Sequence, residues 1–303
     1  MIKSFVENNF NLVLCLSVVV GLLVPALASL PEETAIILIS IAIFFSCSRV
    51  TVDELRHISL KSALTFYVIR FILLPIPIYY AAVLLIPEYA MGVLLLALAP
   101  SAASATAFAM VIRANPSLCL SATVVTNALT PISIPLILFF LGLAGDVEID
   151  ALDLFVTLSL AIFLPSLSYF LIFRRSEPVK FYMRDNAKFY ATLSVGMMMA
   201  VVTSMQRDYF LNQTMDVLIL AAIGTILYAV FLAVAWLFSL RMSFFDRKTY
   251  MVCSGLNNNG LVAGLAFLYF SPATILFIVT TEIPWTMVAI VMKYYADRNY
   301  ERV

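Results

Sequence analysis

Two stretches of an otherwise apolar chain carry polar side chains that could bind a small molecule. One, residues 255–260, has three consecutive asparagines between two glycines, and the other, residues 100–106, follows a proline with small and hydroxyl-bearing residues. Amides and hydroxyls at membrane depth need partners and usually face a cavity or another helix. We therefore predict that each stretch is the broken middle of a discontinuous helix that lines a binding site. The alternative is that these groups only join helices by hydrogen bonds.

The composition is that of an integral membrane protein. Of 303 residues, 63% are hydrophobic and 12% are charged, whereas a soluble domain has about 25% charged residues. The long apolar segments favour helices over a barrel, whose strands would alternate. The net charge of zero leaves no basic face for nucleic acid. The lipid bilayer is thus the first expected partner.

The sequence predicts ten membrane-spanning segments, each about long enough to cross roughly 30 Å of hydrocarbon. Their predicted bounds are 11–30, 34–50, 62–85, 90–113, 117–143, 152–173, 189–205, 217–239, 250–270 and 273–295. No loop is long enough for a soluble domain. The expected fold is therefore an all-α integral membrane protein with one membrane domain, residues 1–303.

The basic residues predict the orientation. With the N-terminus inside, 16 of the 18 lysines and arginines lie in inner segments, whereas Arg207 lies outside and Arg70 lies within the third segment. The positive-inside rule then places both termini in the cytoplasm of a multi-pass protein in the plasma (inner) membrane.

A weak internal echo indicates two repeats. Residues 124–130 resemble residues 278–284 at an offset of 154, and the same offset carries the fourth segment's small polar stretch onto the asparagines of the ninth. We predict inverted five-helix repeats, about 1–143 and 151–296, whose helices 4 and 9 are discontinuous and cross each other.

Catalysis and metal binding are not expected. The chain has one histidine and no Ser-His-Asp arrangement, zinc motif or phosphate loop, so most catalytic schemes lack their base. The four cysteines have no metal-type spacing and are expected to be small core residues. We predict that the protein is not an enzyme and carries no cofactor.

Several motifs resemble the bile acid:sodium symporter superfamily over nearly the whole chain. The similarity includes Ala99-Pro100 with the small run after it, residues 113–115, residues 255–261, and the loop that holds Asp53-Glu54-Leu55. The resemblance implies ten spans, crossing unwound helices 4 and 9, and a core of helices three to five and eight to ten. This core would rock against a panel of helices one, two, six and seven.

The sodium ligands that the resemblance implies are mostly replaced. The positions of one sodium site hold Ala105, Thr106, Cys119, Thr123 and Cys253, so the carboxylate is lost and sulfur stands where oxygens are needed. At the second site, Arg70 stands where the family has a glutamine. The amide that helix 9 contributes to that site aligns with Asn257. The resemblance thus identifies former ion-coupling positions, and their side chains argue against sodium.

Two charged residues inside the predicted spans are candidates for function. Arg70 is a candidate for a built-in cation at the second sodium position or for the ligand of a substrate carboxylate. The alternatives are that its side chain extends to the membrane surface or pairs with Glu282. Glu282 is a candidate proton-coupling site, with a structural salt bridge or a capped turn before Pro284 as the alternatives.

The sequence therefore predicts a secondary transporter of a small organic anion by alternating access. The predicted substrate-binding residues are Arg70, Ser101, Ser104, Thr106, Asn257, Asn258 and Asn259. Three alternatives remain: a sodium symporter that uses carbonyls and the asparagines, an arsenite-type efflux carrier, and a non-transporting receptor or scaffold. The arsenite-type resemblance carries a cysteine where this chain has Ser101. The substrate, the driving ion and the oligomeric state stay open.

Overall fold

The computed structural model describes residues 2–31, 33–48, 60–102, 104–143 and 151–300, and these are almost entirely helical. The loop at residues 53–55, which contributes to the family resemblance, lies outside the described residues. Within the described part of the chain, the single extended contact is an isolated antiparallel bridge between Ser101 and Asn257.

The described residues of the first half of the chain form eight helices. They are α1 (Ile2–Asn8), α2 (Phe10–Leu23), α3 (Thr34–Cys47), α4 (Leu60–Tyr67), α5 (Pro75–Leu85), α6 (Ala90–Leu98), α7 (Ser104–Val111) and α8 (Pro116–Phe140). A wide π-helical turn, Val68–Leu73, connects α4 to α5, and 3-10 turns lie at Pro25–Ser29 and Pro87–Tyr89.

In the second half, residues 151–300 form eight more. They are α9 (Ala151–Leu171), α10 (Glu177–Met205), α11 (Arg207–Asn212), α12 (Thr214–Phe238), α13 (Phe244–Gly255), α14 (Asn259–Tyr269), α15 (Pro272–Thr280) and α16 (Glu282–Tyr300). A 3-10 turn, Phe173–Arg175, precedes α10.

Among the described residues, six helical stretches are long and apolar enough to cross a membrane. They are Leu60–Leu85, Pro116–Phe140, Leu152–Arg175, Glu177–Met205, Met215–Phe238 and Pro272–Asp297. The other four predicted segments contain shorter apolar helices: Leu12–Leu23, Thr34–Cys47, Pro87–Leu98 and Asn259–Tyr269. The protein is therefore an all-helical, multi-pass membrane protein, and the count of ten spans stays a prediction.

Three local features differ from the sequence-based bounds. Helix α10 begins at Glu177, whereas the predicted apolar segment begins at Phe189. The polar residues before Phe189 form the first turns of the same helix. The tenth segment is interrupted at Thr281, between α15 and α16. The third segment contains the π turn that holds Arg70.

Large apolar side chains cover the outside of the helices. Leu84 is 84% exposed, Phe140 is 75% exposed and Leu218 is 69% exposed. A water-soluble protein of this size would not expose so much contiguous apolar surface. These faces fit contact with lipid.

Two sets of helices pack among themselves, and α9 of the first set also packs against α8 of the second. Helix α10 packs against α2 and α3, and α9 also packs against α3. In the other group, α12 packs against α13, α15 and α16, while α8 contacts α4, α7 and α13. The interrupted helices α6/α7 and α13/α14 belong to this second group.

The end of α7 is fastened to α13 by polar contacts. Arg113 adopts a left-handed conformation (φ 52°), which turns the chain after α7. The Lys248 ammonium donates to the carbonyl oxygens of Ile112 (2.7 Å) and Arg113 (2.6 Å). The Asn115 amide donates to Asp246 Oδ1 at 2.9 Å. A cation at a helix C-terminus is electrostatically favourable.

Candidate functional site

The first break follows from a proline. Pro100 has no N–H group and favours an extended residue before it, so α6 ends at Leu98 and Ala99 has ψ 125°. Thr126 Oγ1 accepts a hydrogen bond from the Ser101 N–H group (3.2 Å), and the Asn127 amide donates to the Ser101 carbonyl (2.8 Å). The neighbouring helix α8 therefore holds the unwound backbone.

The second break occurs without a proline. Helix α13 ends at Gly255, and α14 begins at Asn259 after two non-helical residues, Leu256 and Asn257, and the N-cap residue Asn258. The flanking glycines are not needed for an unusual φ angle, since Gly142 is the one described glycine with positive φ. A Cβ atom at Gly255 would lie 2.8 Å from Val288 Cγ1, so this glycine permits close helix packing.

The two breaks pair with each other through their backbones. The Ala102 N–H group donates to the Leu256 carbonyl, and the Asn258 N–H group donates to the Pro100 carbonyl, both at 2.7 Å. These bonds flank the antiparallel bridge between Ser101 and Asn257. Both helices are interrupted as predicted, and the interruptions lie against each other. We call this paired region, residues 99–102 and 256–258, the crossover.

Side chains of the crossover exchange equivalent bonds with the two helix ends. The Ser101 hydroxyl donates to the Cys253 carbonyl (2.6 Å), and the Asn257 amide donates to the Leu96 carbonyl (3.0 Å). Each acceptor is the third-last residue of its half-helix, α13 or α6. Each break thus binds the C-terminal end of the opposite half-helix.

Arg70 contacts both of these C-terminal ends at once. Its Nη1 atom donates to the Ala97 carbonyl (2.8 Å), its Nη2 to the Ser254 carbonyl (3.2 Å) and its Nε to Ser254 Oγ (2.8 Å). The side chain is fully buried, and its guanidinium carbon lies 3.6 Å from the centroid of the Phe231 ring. Among the described contacts it forms no ion pair with Glu282.

The former ion-coupling positions of α8 and α13 bring two thiols together. Cys119 Sγ lies 3.3 Å from Cys253 Sγ, and both side chains are fully buried and free of disulfides. The hydroxyls of Thr106 and Thr123 are buried without a hydrogen-bond partner in the described part of the chain. A hard cation prefers several oxygens and a negative charge, and the side chains at these positions supply two hydroxyls, two thiols and no carboxylate.

The three asparagines have different surroundings. Asn257 is 1% exposed, and its Oδ1 atom has no partner within the described chain. Asn258 Oδ1 accepts from the Leu261 N–H group (3.2 Å) and caps α14. The Asn259 amide donates to the Tyr228 hydroxyl (2.9 Å), and the Glu282 carboxyl lies close to the Asn259 side chain. Glu282, the first residue of α16, therefore lies beside the third asparagine.

The remaining predicted residue, Ser104, begins α7 and is half-buried. Three further residues hold the crossover and were not predicted from the sequence: Thr126, Asn127 and Trp285. The Trp285 indole donates to the Asn257 carbonyl at 3.1 Å. Asn127 is an amide in the middle of an apolar span. The rule that identified the asparagine triplet also applies to it.

The cap at Asn258 makes a stability prediction. Replacing Asn258 by alanine is expected to destabilise the protein by about 1 kcal/mol, because the first turn of α14 loses its side-chain acceptor. Asn258→Ser retains an acceptor and serves as the matched control. Thermal unfolding in detergent measures both variants, and equal melting temperatures for wild type and Asn258→Ala would contradict the capping role.

Comparison with known proteins agrees with this architecture. No curated protein matches the chain. A sequence model of the SBF-like CPA transporter family matches residues 8–272, a range that contains both breaks, Arg70 and the two buried cysteines. The chain therefore belongs to the SBF-like CPA transporter family, a family of membrane transporters.

Proposed function

We propose that the protein is a secondary active transporter that moves a small organic anion by alternating access. In this proposal its ten spans form two inverted five-helix repeats, with both termini in the cytoplasm. The observation that carries the proposal is the backbone pairing of two interrupted helices at the crossover. In secondary transporters, substrate sites lie where discontinuous helices meet near the bilayer midplane.

The half-helix ends support an anionic substrate. Helices α7 and α14 both begin at the crossover, and the N-terminus of a helix carries partial positive charge and free N–H groups. Ser101, Ser104 and Thr106 lie in or just after the first break, and the asparagines lie in or just after the second. These N-terminal ends, rather than Arg70, are the anion-binding part of the proposed site.

Unpaired polar atoms support a substrate with more than one polar group. The buried hydroxyls of Thr106 and Thr123 can donate to an anion, whereas Asn257 Oδ1 can only accept. A buried polar atom without a partner costs about 1–3 kcal/mol. A small organic acid that also carries a hydroxyl or ammonium donor would satisfy both kinds of atom.

The reciprocal bonds support the inverted repeats. The Ser101 hydroxyl binds the end of α13, and the Asn257 amide binds the end of α6, so each half contributes the same type of contact to the other. The offset of 154 residues between the two repeats does not hold equally for the helix ends before and after each break, because the first break is longer than the second.

Contacts between helix ends support the proposed sidedness. The Lys3 ammonium lies 2.6 Å from Asp185 Oδ2, and both residues belong to segments predicted to be inside. The Tyr209 hydroxyl donates to Glu88 (2.9 Å), and the Tyr89 hydroxyl donates to Asp216 (2.7 Å), which joins segments predicted to be outside. The group of α2, α3, α9 and α10 corresponds to the proposed panel, and the group with the crossover corresponds to the moving core.

A sodium-dependent organic anion symporter is the second candidate. The unpaired oxygens of Thr106, Thr123 and Asn257 favour it. The contact between the Cys119 and Cys253 thiols disfavours it, because no carboxylate is present at these positions. Sodium dependence of uptake separates the two candidates.

The test is a ligand screen followed by a flux assay. Purified protein is heated with a panel of small organic acids, with sodium or with choline, and acids that raise the melting temperature are then tested for uptake into proteoliposomes. We expect saturable uptake without a sodium requirement. Stabilisation by an acid without any flux would instead favour the receptor or scaffold alternative.

Glu282 gives a separate prediction about proton coupling. Glu282→Gln is expected to abolish uptake driven by a pH gradient but to preserve substrate exchange, because glutamine has nearly the same shape as glutamate and cannot carry a proton. Asp153→Asn, an acid bonded to Tyr269 in a different part of the protein, is the matched control. Unchanged gradient-driven uptake by Glu282→Gln would exclude this residue as the proton site.

A further inference from the structure

Arg70 occupies a place where carbonyl groups converge. The Ala97 and Ser254 carbonyls belong to the penultimate residues of α6 and α13, and both accept hydrogen bonds from the one guanidinium. Neither carbonyl has its usual intrahelical donor. The Ser101 N–H group binds Thr126 and the Asn258 N–H group binds the Pro100 carbonyl instead.

Such a convergence attracts a cation. The C-terminal end of a helix carries partial negative charge, and in transporters with discontinuous helices these ends coordinate the coupling cation. Here two C-terminal ends meet within reach of a single side chain. An arginine side chain stays protonated in proteins, so the cation between these two helix ends is part of the chain itself.

The contacts of the guanidinium leave little room for a substrate. Hydrogen bonds to the protein use three of the five N–H groups that a guanidinium has. Phe231 stacks on the guanidinium, and the Phe71 ring centroid is 4.7 Å from its central carbon. A carboxylate at this position would compete with Ala97 and Ser254 for the same donors.

We propose that Arg70 is a permanently tethered cation that takes the place of a mobile cation between the C-terminal ends of α6 and α13. The inference rests on the proposed function, since it states how the carrier works without a coupling ion at this point. The guanidinium compensates both helix ends in every transport cycle. Wild-type protein therefore needs no added cation to hold these ends together.

The test measures whether a free cation replaces the missing side chain. Arg70→Ala is purified, and its melting temperature is followed while guanidinium, sodium or N-methyl-D-glucamine ions are titrated at constant ionic strength and millimolar concentration. We expect a saturable rise with guanidinium or sodium, of about 3 °C at ten times Kd, and no rise with the bulky ion. Wild type is expected to show no cation-specific rise.

Controls keep this test decisive. Lys248→Met also removes a cation from a helix end, that of α7, but leaves Arg70 and its carbonyl partners intact. This variant is expected to melt at a lower temperature than wild type and to show no response to sodium. If Arg70→Ala does not fold, Arg70→Gln is titrated in the same way. A cation response by wild type, or none by either Arg70 variant, would overturn the inference.

The outcome is independent of transport. If wild type binds and transports no organic anion, the proposed function fails, while the melting titration still decides whether Arg70 replaces a cation. If wild-type uptake occurs but requires sodium, and sodium also stabilises wild type, the tethered-cation inference fails and the transporter proposal stands.

Discussion

Arg70→Met is expected to lower the free energy of unfolding by about 2–6 kcal/mol, because two buried carbonyls lose their donor and each unpaired carbonyl costs about 1–3 kcal/mol. Methionine fills part of the volume but cannot donate a hydrogen bond. The Ala97 and Ser254 carbonyls then have no partner, because their helices end at these points. The expected result is a fall in melting temperature of roughly 5 °C or more.

The matched control for this prediction is Arg174→Met. Arg174 is exposed in the 3-10 turn before α10, where a loss of charge usually changes stability by less than about 0.5 kcal/mol. If Arg70→Met melts at the same temperature as Arg174→Met, the guanidinium does not hold the two helix ends together.

Asn257→Leu is expected to weaken substrate binding by about 10- to 100-fold. The leucine removes the unpaired Oδ1 acceptor from the crossover and also the amide that donates to the Leu96 carbonyl, which keeps the Ala99 N–H group as a donor at 3.3 Å. The lost acceptor is worth about 1–3 kcal/mol, and about 1.4 kcal/mol corresponds to a tenfold change in affinity. Titration of the melting temperature with the best organic acid gives the dissociation constants.

An exposed amide provides the comparison for Asn257. Asn212 lies at the end of α11, away from the crossover, so Asn212→Leu is expected to bind the acid as wild type does. If Asn257→Leu loses stability but keeps wild-type affinity, the amide is structural and the substrate does not contact it.

Local chemistry predicted the positions of both breaks. Pro100 removes a backbone donor, and amides at membrane depth need partners, so the interruptions at residues 99–102 and 256–258 could be predicted from residue types alone. The interruption at Thr281 and the π turn around Arg70 could not be predicted in this way. Both depend on how neighbouring helices pack, and no local residue pattern specifies that packing.

The partners of the site residues were harder to predict than their positions. From the sequence, Arg70 was expected to occupy a sodium position, to bind a substrate, to reach the membrane surface or to pair with Glu282. Its hydrogen bonds go instead to Ala97 and to Ser254. Residues more than 150 positions apart in sequence supply these carbonyls, so only the fold brings them together. Cys119 and Cys253, which the family resemblance placed at one former sodium site, contact each other through their thiols.

The most direct test of the account is counterflow in proteoliposomes that contain the purified protein and an organic acid that stabilises it. Vesicles preloaded with unlabelled acid are diluted into labelled acid, with choline in place of sodium on both sides. The account predicts transient accumulation of label by wild type, strongly reduced in Asn257→Leu. An acid that binds tightly but shows no counterflow, with or without sodium, would contradict it.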